Sequence, residues 1–134
     1  MIQPRKPQAT RGLLGLLLLF ALSYGCDSGG AARNTQEVTL DSLPGSAGAT
    51  PGEAWQSSGW EEGWLAYPGD SLLRIAHGLG RAPSSVEAYV SFASDGFAAG
   101  IASGDLARIV SVDATHIALE NGTKQDLFLR IVLR

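Results

Sequence analysis

The stretch SVEAYVSFASDGFAAGIAS, residues 85 to 103, decides the fold class. From 85 to 93 it alternates: Val86, Ala88, Val90 and Phe92 share one face, and Glu87, Tyr89 and Ser91 share the other. A period of two marks a strand with one side against a core. Ser94-Asp95-Gly96 supplies residues that tolerate the backbone angles of a tight hairpin. FAAGIAS (97 to 103) then returns as the partner strand and stops at Gly104-Asp105.

The same grammar runs outward in both directions. GWLAY (63 to 67) ends at Pro68-Gly69-Asp70, and SLLRIAH (71 to 77) ends at GLGRAP. LARIVSV (106 to 112) stops at Asp113-Ala114. THIALE (115 to 120) sets Thr115, Ile117 and Leu119 against His116, Ala118 and Glu120, and Asn121-Gly122 is a further hairpin signal. In DLFLRIVLR (126 to 134), Leu127, Leu129, Ile131 and Leu133 fall on one face. No window favours a helix of ten residues. Short strands punctuated by turns predict an all-β fold, a small antiparallel β-sandwich of about six or seven strands over residues 58–134.

So small a core leaves a thin margin over ordering entropy. The single cysteine excludes an internal disulfide, and self-association is the remaining common remedy. The outward side of the last strand, with Phe128, Arg130, Val132 and Arg134, has the mixed composition of an interface. It equally suits a solvated face carrying long arginine stems.

Charge is divided unevenly along the chain. Arg5, Lys6 and Arg11 precede the first acid, Asp27. After residue 25 there remain seven Lys and Arg against thirteen Asp and Glu, a net charge of −6. An acidic domain without a basic stripe is a poor partner for nucleic acid, because phosphate contacts require clustered Lys and Arg.

The early positive charges lead into LLGLLLLFAL (13 to 22), then SYG, then Cys26. A basic start, an apolar run of about ten residues and a small-residue exit describe a secretory signal peptide over residues 1–25. The uncharged span is short of the roughly 20 residues that cross a bilayer comfortably. Ser23 and Gly25 suit an ordinary signal peptidase cutting before Cys26. The Gly25-Cys26 ending also resembles a bacterial lipoprotein signal, although Ser23 stands where Leu is typical and Tyr24 where a small residue is typical. That resemblance implies a lipid-modified Cys26, a membrane anchor, and a cell-envelope location facing the periplasm or the cell surface. Residues 26–57 are rich in Gly, Ser, Ala, Thr and Pro and read as a linker. About 30 such residues would give a reach of roughly 30 Å. Within them, QEVTL is the one stretch able to pair as a strand.

Catalytic constellations are not legible. His77 and His116 are isolated, and there is no HExxH, no paired cysteine and no G-x-S-x-G elbow. No metal, no cofactor and no enzymatic activity are expected. Gly78-x-Gly80 opens no helix and reads as a turn. The aspartates at 70, 95, 105 and 113 read as turn formers.

The aromatics carry the functional expectation. Trp55, Trp60, Trp64 and Tyr67 crowd the domain entrance, where an exposed ring could stack on a sugar. The competing reading buries one Trp in the core and packs the others on the first strand or linker. SGWEEGWLAYPG, LLRIAHGLGRAPSSVEAYV and LFLRIVLR together resemble the small β-sandwich domains of H-type lectins and phage tail fibres. The resemblance implies carbohydrate binding and trimers or hexamers, with His77, Gly80, Pro83 and Arg130 as framework positions. Trp60, Trp64, Tyr67 and His116 are the candidate ligand-binding residues. The expectation is therefore an extracytoplasmic lipoprotein with a carbohydrate-binding sandwich. The alternative is a structural module that associates with itself or with an envelope protein.

Overall fold

A computed structural model describes residues 33–44, 47–48 and 54–134. The expected signal peptide and Cys26 lie outside the described residues. The strands are β1 (Asn34–Val38), β2 (Trp55–Gln56), β3 (Leu65–Tyr67), β4 (Ser71–Ala76) and β5 (Val86–Ser91). They continue with β6 (Gly100–Ile101), β7 (Arg108–Val112), β8 (His116–Asn121) and β9 (Leu127–Leu133). The only helical pieces among the described residues are two single 3-10 turns, Leu40–Ser42 and Gly104–Leu106.

The strands form two sheets, giving an all-β, sandwich-like architecture. The first has the order β1-β4-β8-β7 and the second β2-β9-β5-β6, with β3 also paired to β9. Period-two patterning explains the core between them. Leu73 and Ile75 of β4 lie opposite Leu119 and Ile117 of β8. Leu127, Leu129, Ile131 and Leu133 of β9 join them with Trp55, Tyr67 and Ala88 in one buried cluster. Each fully buried Leu or Ile contributes roughly 1.5–3 kcal/mol over leaving it in water.

Three expectations are corrected. Among the described residues there are nine strands rather than six or seven. The fold is not wholly antiparallel, because β1 runs parallel to β4 from Asn34↔Ser71 to Val38↔Ile75. The sandwich also starts ahead of residue 58, since β1 and β2 fall in the segment read as linker yet pair with β4 and β9. Little apolar side-chain burial drives β1, whose pattern is mostly exposed. It is held by backbone pairing and by two ion pairs, Arg33–Glu120 at 2.6 Å and Glu37–Arg74 at 3.3 Å.

Phe92 is a fourth departure. Alternation placed it inward, but β5 ends at Ser91 and Phe92 is left largely in solvent. The Ser91 hydroxyl donates to the Phe97 carbonyl (2.7 Å) and accepts the Ala93 N–H (2.9 Å). Those bonds turn the chain out of the sheet one residue early.

Strands β2 and β3 create the feature that positions the candidate site. Both pair with the same side of β9, β2 through Trp55↔Leu133 and Gln56↔Val132, β3 from Leu65↔Leu129 to Tyr67↔Leu127. They act as one strand broken by the loop 57–64. Ser57 mends the break: its N–H donates to the Ile131 carbonyl and its Oγ accepts the Ile131 N–H, both at 3.0 Å.

Candidate functional site

The loop that interrupts β2 and β3 folds its Trp60 over the outer face of the second sheet. Register fixes what lies there: Tyr89 of β5 is opposite Arg130 of β9, and Glu87 is opposite Val132. The Trp60 ring sits 4.1 Å from the Arg130 guanidinium carbon. Its centroid is 4.9 Å from Tyr89 at 73°, an edge-to-face contact, and 5.7 Å from Trp64. About half of the Trp60 surface, 51%, remains open to solvent.

Beside it is a shallow cleft of about 280 Å³ lined by Gln56, Trp60, Glu87, Tyr89, Arg130 and Arg134, with Ala54 and Val132. Its polar groups are organised by neighbours. Arg130 donates from Nε to the Ser58 carbonyl (2.9 Å) and from Nη2 to Gln56 Oε1 (2.6 Å). The Glu87 carboxylate accepts from the Tyr89 hydroxyl at 3.0 Å and pairs with Arg134. Those two donors hold the Glu87 carboxyl below the usual carboxylate range. The same hydrogen bond raises the Tyr89 hydroxyl above its ordinary value. Aromatic edge, amide, carboxylate and guanidinium therefore converge on one concave patch, the composition of a small polar-ligand site.

The remaining candidate residues are placed elsewhere. Trp64 lies beneath Trp60 and is only 5% exposed, with its indole N–H unpartnered among the described residues. Tyr67 is wholly enclosed in the core, and burial followed by the Glu120 charge pushes its hydroxyl far above the ordinary tyrosine range. His116 begins β8 in the other sheet, its Nδ1 2.8 Å from the Thr115 hydroxyl. Only Trp60 of the four meets the cleft. Tyr89, Gln56, Glu87 and Arg134 were missed. Tyr89 had a signal, being the one large aromatic on the polar side of SVEAYVSFA.

The framework positions are ordered by local bonds. His77 Nδ1 accepts the Leu79 N–H, which leaves the ring proton on Nε2 to be donated to the Asp113 carbonyl, both at 3.2 Å. Gly80 adopts φ +70°, open to glycine at little cost. Pro83 is half-buried just ahead of β5. Arg130 is itself part of the cleft.

No family model matches the chain. Comparison with curated proteins and with solved structures finds no match either. Among the described residues no three His, Cys, Asp or Glu gather as a metal site, and no helix is long and apolar enough to cross a membrane.

Proposed function

We propose that this chain is a cell-envelope lipoprotein, anchored through Cys26, whose sandwich binds carbohydrate in the Trp60–Tyr89 cleft as a non-enzymatic module. The anchor rests on the sequence pattern around Gly25-Cys26. The binding reading rests on one observation: a half-exposed indole held edge-on by Tyr89 beside Gln56, Glu87 and Arg130. The apolar face of a sugar ring matches the indole, and its hydroxyls match the convergent donors and acceptors. Glycan-array binding by the wild type that is lost in Trp60→Ala, with the circular dichroism spectrum unchanged, supports this function. A blank array overturns it. Acyl labelling of the wild type, absent in Cys26→Ala, tests the anchor separately.

A second reading, self-association, draws on a different surface. Phe92, Phe97 and Ile101 along the β5–β6 hairpin are each about three-quarters exposed. Isolated apolar residues need no explanation, but three large ones on one hairpin suit contact with another copy. Trimers or hexamers in light scattering that dissociate in a Phe97→Ser/Ile101→Ser variant favour it.

A further inference from the structure

Among the described residues Arg130 is a buried cation without a paired anion. Its relative exposure is 2%, and among the described residues the partners of its guanidinium are a carbonyl, an amide oxygen and two aromatic rings. None of the ion pairs among the described residues includes it. Burying a charge is costly unless a counter-charge or metal offsets it, and neutral acceptors offset it only in part. Burial accordingly draws its pKa down, with Tyr89 and Glu87 opposing.

The geometry leaves capacity to spare. Nε and Nη2 are engaged by Ser58 and Gln56, while Nη1 makes no hydrogen bond among the described residues. Arg130 lines the cleft, and Nη1 is its nitrogen left without a hydrogen bond among the described residues. The one carboxylate side chain among the described lining residues, Glu87, is taken up by Arg134 and Tyr89. Two guanidiniums against one carboxylate make the described side chains of the lining net positive on a protein whose formal charge is −3.

The geometry points to an acidic saccharide, a uronate, as the ligand: its ring lies against Trp60 and Tyr89 and its carboxylate supplies the counter-ion of Arg130. This rests on the carbohydrate reading above and narrows it. A cleft of about 280 Å³ has room for about one sugar unit, at the small end of ligand sites.

The test compares three probes by tryptophan fluorescence titration: methyl glucuronide, methyl glucoside and acetate. A charge-assisted bond in a half-enclosed site predicts roughly ten-fold tighter binding of the glucuronide than of the glucoside, weakening as salt rises. Arg130→Lys, which keeps the charge but loses the planar fork, should remove most of that preference. Should that variant fail to fold, the wild-type ratio and its salt dependence decide alone. Equal binding of both glycosides, lost in Trp60→Ala, overturns the acidic ligand and leaves the carbohydrate reading standing. Acetate binding as tightly as the glucuronide also overturns it, because the ring then adds nothing and a carboxylate from another source fits. Binding of none of the three by a protein whose glycan array is also blank overturns both readings together.

Discussion

A methyl group on Gly96 would stand 2.5 Å from two ring carbons of Trp64. Gly96 turns the β5–β6 hairpin at φ +76°, and its N–H donates to the Ala93 carbonyl at 3.0 Å. The hairpin is pressed directly onto the indole that carries Trp60. Gly96→Ala therefore combines a disfavoured backbone angle with a clash against a ring that has nowhere to move. It should cost about 2–4 kcal/mol by urea denaturation. Because Trp64 packs against Trp60, the sugar binding proposed for this cleft should weaken in the same variant, read by fluorescence titration of the folded fraction.

Glu120 is buried on the outer side of β8, with its carboxylate 2.6 Å from Arg33 and 3.3 Å from Arg108. Either half-exposed arginine can neutralise it alone. Arg33→Ala and Arg108→Ala should each cost under about 1 kcal/mol, as pairs reached from the surface do. The double variant should exceed their sum by about 1–2 kcal/mol, since it strands a buried carboxylate. A double-mutant cycle in urea measures the excess, and simple additivity refutes the shared clamp.

His77 gives the fold a dependence on pH. Burial lowers its pKa below 6.5, while the Asp113 and His116 backbone contacts partly oppose this. The unfolded chain therefore binds more protons than the folded one just below pH 6.5. Stability from this group is complete above about pH 6.5 and declines as the pH falls through the folded value. His77→Asn should flatten the fall in urea midpoint between pH 7 and 5. Asp113 acts in a separate window: accepting the Thr115 and His116 N–H groups and the Thr115 hydroxyl brings it to about 2. Its contribution holds above the ordinary carboxylate value and is lost only as the pH falls toward 2.

Asn121 staples the turn before β9 to the end of β3. Its Nδ2 shares two hydrogens among the carbonyls of Tyr67, Pro68 and Gln125, and its Oδ1 accepts the Thr123 N–H and hydroxyl. Asn121→Ala should cost about 3 kcal/mol or more, since several enclosed carbonyls lose their donor. Asn121→Asp should be worse, because a carboxylate offers no hydrogen to any of them. Thermal melts of both variants rank the two effects, at about 4–8 °C per kcal/mol for a domain of this size.

Much of the sandwich was legible because β8 and β9 carry period-two apolar sets, and Ile117, Leu119 and the four residues from Leu127 to Leu133 lie in the core. Leu127, Leu129, Ile131 and Leu133 face the core as their spacing implies. What escaped notice follows from forces that leave no periodic mark. NTQEV has one large apolar residue, so its pairing with β4 comes from backbone bonds and from acids and arginines far away in sequence. FAAGIAS keeps only Gly100–Ile101 as strand, because Asp95 Oδ1 caps the Phe97 N–H and Ala98 adopts φ +54°. The aromatic cluster was visible, but not which ring stays in water. Trp60 is exposed since it rides the loop that interrupts β2 and β3, whereas Tyr67 falls on the inward side of β3. That distinction depends on β9, some 60 residues later.

The parallel pairing of β1 shortens the distance from the proposed anchor. Cys26 stands eight residues ahead of Asn34, and eight residues span at most about 28 Å even when fully stretched. A lipid on that cysteine would moor the sandwich close to the head groups, with the β1 side nearest the bilayer. Ligands would then be met within a few nanometres of the membrane surface, so the sugars within its grasp are those of the envelope itself or of molecules that reach it.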